Sequence, residues 1–535
     1  MRPFRLSVFA LFAAVAVIGG ACAPSTSGPS PSGGAAATAG VAKATYGGTV
    51  TFVLENDVID FDPLKSRAFV DRNIHYQIYD SLVRIDETGK IVPWLATKWD
   101  TSSDGKTVTF TLRDDVTYHD GSKFDAESVK WNIERYMKTT GSARAGELAS
   151  IDTVDAVNST TVKFNLKTSF SPLVAALIDR AGMMVSKKAF DAVGNADDFT
   201  RKAFKAGSGP FMLTEAVKDD HMTLEKNPSW WGKDKDGNKL PYLDKITVKP
   251  IRNDDVRFTN VRTGDAQVAN NISGKDIPTA KSESSLTYAE KPALSFRSLI
   301  PNRAPGFVFN DRRYVKAVSM AIDRKELLEK GYFNLGVVGY GTIAPSHFAF
   351  DPAFKPYEKV DVEGAKKLVQ EVGKPLSFEL MITAGSPLDL TLAQLIQAQL
   401  KKADITSDIV QLEFAKILEL QSAHTFKGLT FVGWSGRIDP DGNTYDHIYT
   451  KRPFNDSSYS NADVDKLLDE QRATSDQEKR KAALRKAEQI YAVDDPARIW
   501  LGHGAAQLLT TKKVNAPPVY PDQIIRFQLM SMAAK

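Results

Sequence analysis

The sequence is poor in the residues that bind transition metals. Cys22 is the only cysteine in 535 residues, so the chain has no internal disulfide and no second thiolate for a zinc site. The histidines include no pair at the spacing that places two ligands on one face of a helix. They stand at positions 75, 119, 221, 347, 424, 447 and 503. We therefore expect no metal site, and no cofactor is predicted.

The signatures of nucleophilic catalysis and of phosphate binding are also missing. The chain has no Gly-x-Ser-x-Gly elbow and no Gly-rich loop ending in a phosphate-binding lysine. Its formal net charge of +4 is spread along the chain, and no run of lysines is interleaved with aromatic residues. These absences argue against catalysis, which stays a remote alternative, and against nucleic acid as a partner.

The N-terminal residues have the pattern of a secretory signal peptide. Two arginines precede an apolar run, residues 6–18, that is shorter than a comfortable bilayer span. Small residues and then Cys22 follow, an arrangement that resembles a bacterial lipoprotein signal, in which this cysteine is lipidated. Ordinary cleavage nearby is the alternative. We expect a signal peptide over 1–22, a flexible linker over 23–45, and a folded body from Tyr46 onward.

Strand patterns in the first half of the body favour a mixed or antiparallel sheet. Residues 107–113 alternate apolar and polar side chains, and residues 161–167 repeat this alternation. A helical pattern over 125–137 lies between them and is introduced by a turn at 118–121. The turn accounts for the histidine and the aspartate within it, so neither needs a catalytic role.

The second half of the body favours parallel crossover units. Helical patterns alternate there with three strand patterns, which cover residues 376–382, 408–414 and 428–434. This order implies parallel strands with right-handed connections. Farther along, Ser475 and Glu478 have the spacing of a capping box, which predicts the start of another helix.

The loop that follows the last of these strands, from Ser435 to Asn443, lies where open parallel sheets bind ligands. Asp439, Asp441 and Asn443 alternate as in the beginning of a calcium loop. However, threonines replace the glycine and the bidentate glutamate that a calcium loop needs at its sixth and twelfth positions. We therefore expect this loop to contact a ligand rather than calcium.

Four longer segments have the pattern of one known family, and they occur in the family's order. They are residues 91–135, 207–232, 301–328 and 458–501, the first of which contains "DGKTVTFTLRDDVTYHDG". Together they resemble the large periplasmic solute-binding proteins of ABC transporters, in the dipeptide and oligopeptide class known as bacterial family 5. The chain is identified as a member of that class from these segments, which span nearly all of the body.

The resemblance implies an α/β fold of two lobes, type II-like, with mixed sheets, flanking helices and an extra subdomain in lobe one. The implied boundaries are 46–300 plus 498–535 for lobe one, 83–186 for its subdomain, and 301–497 for lobe two. Ligand would be enclosed as the lobes close. Both the mixed pattern of the first half and the parallel pattern of the second half agree with this arrangement.

The resemblance also implies a function: the substrate-binding component of an ABC importer, which captures a solute outside the cytoplasmic membrane. Its partners would be the permease and ATPase subunits, and the protein would be a lipid-anchored monomer at the periplasmic or extracellular face of that membrane. A peptide is the first expectation for the solute. An anionic or modified solute, or an oligosaccharide stacked on Trp434, is the alternative, and a purely structural surface lipoprotein is a third hypothesis.

The resemblance assigns a role to the loop after Trp434. In peptide binders of the class, an aspartate three residues after this tryptophan pairs with the peptide's ammonium group, but here that position is Arg437. An arginine repels an ammonium and suits a carboxylate or phosphate. Either Arg437 selects the ligand, or it forms an internal ion pair with Asp439 or Asp441, or Asp439 binds the ammonium instead. Ser435 is included as a neighbouring ligand contact.

An early segment, residues 62–80, contributes a ligand-facing turn before a helix in members of the family. We place Arg67, Phe69 and Asp71 nearest to the ligand on this basis. A solvated charged turn is the alternative for Arg67 and Asp71.

The expected lipidation of Cys22 is tested by replacing it with serine, which has no thiol to acylate. Cys22→Ser should move the protein from the membrane fraction to the soluble fraction, measured by cell fractionation and immunoblotting. Wild-type protein expressed in parallel is the control. Equal membrane retention of both forms would contradict a lipid anchor at this residue.

Overall fold

The structure is a computed structural model that describes residues 45–534. The expectations for the signal peptide, for the linker up to residue 44 and for Cys22 lie outside the described residues. No helix within 45–534 is both long enough and apolar enough to cross a membrane.

Strands occur along the whole described chain and are numbered here in chain order. They are β1 (Thr49–Leu54), β2 (Val83–Ile85), β3 (Ile91–Pro93), β4 (Ala96–Thr101), β5 (Thr107–Leu112), β6 (Ile151–Asn158), β7 (Thr161–Leu166), β8 (Phe211–Val217), β9 (His221–Lys226), β10 (Lys245–Pro250), β11 (Val268–Ala269), β12 (Leu286–Pro292), β13 (Phe296–Pro301), β14 (Val337–Val338), β15 (Ser377–Thr383), β16 (Thr406–Leu412), β17 (Gly428–Trp434), β18 (Ile499–His503), β19 (Ala505–Thr511), β20 (Val514–Asn515) and β21 (Ser531–Met532).

Helices alternate with these strands. They are α1 (Phe69–Ile78), α2 (Ala126–Lys138), α3 (Leu173–Ala176), α4 (Lys187–Val193), α5 (Ala196–Phe199), α6 (Asp254–Thr263), α7 (Ile277–Ser282), α8 (Arg312–Ala321), α9 (Arg324–Glu326), α10 (Val362–Val372), α11 (Pro387–Lys402), α12 (Phe414–Ser422), α13 (Pro440–Ile448), α14 (Ala462–Arg472) and α15 (Gln477–Gln489). Single π-helical turns follow α9 and α15.

Two large sheets organise the chain. The seven-stranded sheet has the order β12-β19-β11-β1-β10-β9-β8, with β1 parallel to β10 and β11 and the other pairs antiparallel. The six-stranded sheet has the order β14-β18-β13-β17-β15-β16. We call the parts built on the seven-stranded and six-stranded sheets the first lobe and the second lobe.

The second lobe confirms the parallel crossover units and adds strands that the pattern did not predict. β15 is parallel to both β16 and β17, as the alternation of strands and helices predicts. However, β13 pairs antiparallel with both β17 and β18, so the sheet is mixed. β13 and β18 run antiparallel to each other because β13 carries the chain into the second lobe and β18 carries it out.

A smaller unit is inserted in the first lobe between β1 and β8. Its four strands are all antiparallel, in the order β4-β5-β7-β6, and α2 packs against them. Val108, Phe110 and Phe164 are buried, which confirms the predicted inward faces of the two strands. The predicted turn is also present, with Gly121 N donating to the Tyr118 carbonyl at 2.9 Å.

The chain passes between the large sheets at two neighbouring places. β12 ends at Pro292 and β13 begins at Phe296; on the return, β18 ends at His503 and β19 begins at Ala505. The two crossing segments are hydrogen-bonded to each other: His503 Nδ1 lies 2.9 Å from the Ser295 carbonyl. A paired crossing of this kind provides a hinge between the lobes.

The start of α15 differs from the predicted capping box. Asp476, not Ser475, is the N-cap residue, and its carboxylate accepts hydrogen bonds from the backbone N–H groups of Glu478 and Lys479. An aspartate caps as well as a serine does, and its charge also interacts favourably with the helix dipole. The prediction of Ser475 as the cap was therefore wrong by one residue, although the helix itself is present.

Candidate functional site

A cavity of about 310 Å³ lies between the two lobes, where β1 and β17 end and α1 begins. The first lobe contributes Glu55, Asn56 and Phe69 to its wall, and the second lobe contributes Arg297 and Trp434. The carboxyl ends of β1 and β17 both open into it, as expected for ligand sites at the edge of open α/β sheets. This cleft is the candidate binding site.

Trp434 is the last residue of β17 and is held firmly in the wall of the cleft. Its indole Nε1 donates to Asn443 Oδ1 at 3.1 Å, and its ring meets the His447 ring edge-on at 4.4 Å. Only 9% of its surface is exposed. The tryptophan therefore fills the core at the strand end and also lines the cleft.

Ser435 also lines the cleft and connects the lobes. Its hydroxyl accepts a hydrogen bond from Arg72 of α1 at 3.3 Å, and its carbonyl accepts one from Gln523 at 3.0 Å. Both donors belong to parts of the chain outside the six-stranded sheet. The backbone just after β17 is thus held in place from the first lobe.

The early segment brings two of its three predicted residues to the cleft. Arg67 and Phe69 line the cavity, with Phe69 as the first residue of α1. The Arg67 guanidinium donates to Asp456 and to the Pro453 carbonyl, each at 2.7 Å, so it bridges to the second lobe. Phe69 is half-buried and leaves part of its ring facing the cavity.

Asp71 does not line the cavity. Its carboxylate accepts hydrogen bonds from Ile59 N at 2.7 Å and from the Ser66 hydroxyl at 2.9 Å, and the side chain is fully buried. Burial raises the pKa of Asp71 to about 6 despite these bonds. These contacts fix the turn that precedes α1.

Arg437 also lies outside the cavity lining. Its guanidinium lies over the Trp434 ring at 4.4 Å, and its Nε is 3.8 Å from a carboxylate oxygen of Asp179 in the inserted unit. Arg72 pairs with the same carboxylate. Burial raises the pKa of Asp179, but the three neighbouring guanidinium groups, including that of Arg180, lower it far below its usual value. Arg437 thus forms an internal ion pair, but with a partner from the other lobe.

Asp439 and Asp441, the two partners that the sequence offered for Arg437, are paired elsewhere. Asp439 is the N-cap of α13 and receives two hydrogen bonds from Arg480, at 2.7 and 2.8 Å. Asp441 receives two from Arg472, both at 2.8 Å. Neither aspartate lines the cavity. The "DPDGN" stretch is therefore the beginning of a helix, signalled by an aspartate cap followed by proline at the first helical position.

Several residues of the cleft were not singled out from the sequence. Glu55 and Asn56 follow β1, and Arg297 is the one charged residue of β13. The sequence signal for Arg297 was available: "LSFRSLI" carries one charged residue in a buried strand, which demands a partner or a function. No comparable signal marked the other two residues.

The side chains that line the cleft include more positively charged than negatively charged groups. Four arginines line it, against only two carboxylates, those of Glu55 and Asp389. The arginines are Arg67, Arg252, Arg257 and Arg297. Desolvation raises the pKa of Asp389 to about 6, and it also raises the pKa of Glu55 above its usual value. Both carboxylates are therefore easier to protonate than in water.

The mouth of the cleft carries an ion pair between the lobes. Arg252, which follows β10, lies 2.6 Å from a carboxylate oxygen of Glu413, which precedes α12. Both side chains are partly exposed, so the pair contributes little stability by itself. It joins the two lobes at this edge of the cavity. Within residues 45–534 no group of three or more acidic, histidine or cysteine side chains could hold a metal.

Comparisons with known proteins agree with this architecture. The profile of the bacterial extracellular solute-binding proteins, family 5, matches residues 90–456. A glutathione-binding protein, GsiB, of Pectobacterium atrosepticum is 26% identical over 87% of this chain and 91% of its own length.

Among solved structures, the periplasmic binding protein DppA of Helicobacter pylori, in complex with the peptide STSA, superposes with a TM-score of 0.82 at 24% identity. That match covers 92% of this chain and 99% of that one. The oligopeptide-binding protein AppA of Bacillus subtilis, in complex with a nonapeptide, gives 0.83 at 22% identity over 92% and 100%. These structures confirm the expected two-lobed α/β fold.

The contact between Arg437 and Asp179 predicts the effect of reversing the charge at position 437. Arg437→Asp places a second carboxylate beside the buried Asp179, so it should lower the free energy of unfolding by about 3 to 5 kcal/mol. Urea unfolding at neutral pH measures this change. Arg437→Gln, which removes the cation without adding an anion, should cost less. Equal stability of the two variants would contradict the proximity of Asp179.

Proposed function

Because the chain belongs to the bacterial extracellular solute-binding proteins of family 5, we propose that it captures short peptides or peptide-like solutes for an ABC importer. The observation that carries the proposal is the cavity between the lobes, which has an aromatic wall from each side: Phe69 from the first lobe and Trp434 from the second. Apolar walls with a few polar groups are typical of small-molecule sites.

The size of the cavity supports a short solute. Its volume of about 310 Å³ is at the lower end of the range for ligand pockets. A glutathione-binding protein is among the relatives, and two structures with this fold carry a tetrapeptide and a nonapeptide. We propose a solute at the small end of this series, of two to four residues or of similar size.

An anionic or modified solute is the second candidate, and one observation favours it. The cleft has more arginines than carboxylates, whereas Arg437, although it replaces the aspartate expected in this class, lies outside the cavity lining. An acidic peptide would be both a short peptide and an anionic solute. An oligosaccharide is less well supported, because one face of the Trp434 ring is already covered by Arg437.

Capture by lobe closure follows from the contacts between the lobes. The pairs Arg67 with Asp456 and Arg252 with Glu413 join the lobes on either side of the cavity. A solute can contact both lobes at once only in the closed state. Its contacts then add to those of the two ion pairs, and so the solute shifts the population toward the closed state. The crossing segments at 292–296 and 503–505 would serve as the hinge.

Further proposals concern features beyond the binding role. We propose that the protein acts as a monomer without enzymatic activity, that Cys22 tethers it to the membrane, and that it delivers solute to a permease and its ATPase. We also propose that the lobes divide at the two crossing segments, a few residues from the boundaries 300/301 and 497/498 expected from the sequence.

Identification of retained molecules tests the proposed function. Purified protein is incubated with a dialysed cell extract supplemented with glutathione, dipeptides, tripeptides and longer peptides, and bound molecules are released and identified by mass spectrometry. We expect unaltered short peptides. Retention of chemically altered peptides would favour an enzyme, and retention of no small molecule would contradict solute binding.

The half-buried ring of Phe69 predicts a measurable contribution to binding. Phe69→Ala should weaken binding of the retained solute by roughly tenfold or more, since a buried aromatic contact contributes at least about 1.4 kcal/mol. Isothermal titration calorimetry measures the affinity. Phe204→Ala removes an equally large but exposed ring outside the cleft and is the matched control. Equal affinity of both variants would remove Phe69 from the site.

A further inference from the structure

Arg297 has an unusual position at the centre of the second lobe's sheet. It lies in β13, and its neighbours across the sheet on both sides are glycines, Gly433 of β17 and Gly502 of β18. A β-carbon at Gly433 would lie 3.8 Å from Cγ of Arg297. Gly433 therefore adds no side chain beside the arginine, whereas the space at Gly502 is filled by the backbone of Val337 in β14.

The Arg297 guanidinium is oriented by an aromatic ring and not by a carboxylate. It lies over the Tyr332 ring at 4.0 Å, a contact that fixes the plane of the group. Its guanidinium forms no hydrogen bond or ion pair with any residue between 45 and 534, although Asp389, which lines the same cavity, lies within range of its charge. Arg67 and Arg252, which line the same cavity, are each paired with a carboxylate. Arg297 thus keeps its planar donors available to the cavity.

The first lobe contributes hydrogen-bond acceptors, rather than donors, to the wall of the same cavity. Oε2 of Glu55 and Oδ1 of Asn56 are buried, and neither has a hydrogen-bond donor within the described part of the chain. The nearby Arg257 does not supply one, because its terminal nitrogens donate to the backbone carbonyls of residues 251, 252 and 271. Buried acceptors without donors are costly, so a native structure is expected to satisfy them with a ligand or with water.

We propose that the cleft binds its solute by two charged ends, with the solute's ammonium group on Glu55 and Asn56 and its carboxylate on Arg297. The inference rests on the proposed function and specifies the solute as a zwitterion. The planar guanidinium of Arg297 can donate two parallel hydrogen bonds to the solute's carboxylate. The carboxylate of Glu55 and the amide oxygen of Asn56 can both accept hydrogen bonds from the solute's ammonium group. Arg437, which faces Asp179 behind Trp434, takes no part in this recognition.

This assignment links recognition to closure. The acceptors belong to the first lobe and Arg297 belongs to the second, so a solute with both ends intact contacts both lobes at once. A solute with one end blocked keeps only one of these contacts. It therefore loses affinity and also loses part of its preference for the closed state.

The test measures three related peptides on three forms of the protein by isothermal titration calorimetry. The peptides are trialanine, N-acetyl-trialanine and trialanine amide, and the proteins are wild type, Glu55→Gln and Arg297→Gln. Wild type should bind trialanine at least about tenfold more tightly than either blocked peptide. Glu55→Gln should bind trialanine and N-acetyl-trialanine equally while it still discriminates against the amide. Arg297→Gln should show the reverse pattern.

Controls separate these effects from misfolding and from general charge. Glu225→Gln and Arg113→Gln remove the same charges from exposed or peripheral positions outside the cavity and should keep the wild-type pattern. Arg297→Lys should regain part of the discrimination against the amide, which a folding defect would not produce. Thermal unfolding of each variant, followed by circular dichroism, reports on folding independently.

The outcomes distinguish this inference from the proposed function. If wild type binds trialanine but Glu55→Gln still penalises acetylation, or Arg297→Gln still penalises the amide, the ends are recognised elsewhere. The inference is then overturned while peptide binding stands. If wild type binds none of the three peptides, the proposed peptide ligand fails, and the assignment of its two ends fails with it.

Discussion

The arrangement of the cleft depends on one buried carboxylate, that of Asp179. Arg72 of α1 pairs with it from the first lobe, and Arg437 approaches it to 3.8 Å from the second. Removing a carboxylate from water is costly, and Arg72 and Arg180 offset that cost from the first lobe while Arg437 adds a third guanidinium from the second. Because Arg437 also lies over Trp434, this interaction fixes the tryptophan relative to α1 and so sets the width of the cavity.

The same interaction changes what the cleft can recognise. In the class that this sequence resembles, position 437 would hold a carboxylate for the ligand's ammonium, but here it holds a cation that serves the contact between the lobes. The charged groups left for a solute lie deeper, at Glu55 on one side and Arg297 on the other. Under the proposed assignment, recognition of the solute lies in a different part of the cleft while the fold of the class is kept.

Local patterns in the sequence predicted the fold well, and long-range partners in the site were predicted poorly. Alternation in 107–113 and 161–167 gave the correct buried faces, because strand periodicity depends only on neighbouring residues. The partner of Arg437 is remote in sequence, so its local neighbours Asp439 and Asp441 were the natural but incorrect choices. The resemblance implied mixed sheets correctly, but the local patterns did not predict β13 and β18, whose antiparallel direction follows from the path of the whole chain.

A crystal structure of the protein with its retained solute tests the account most directly. It should show the solute between Phe69 and Trp434, with its carboxylate on Arg297, while Arg437 remains beside Asp179. A structure in which Arg437 has left Asp179 to contact the solute, or in which the solute's ammonium group lies on Asp439, would contradict the account.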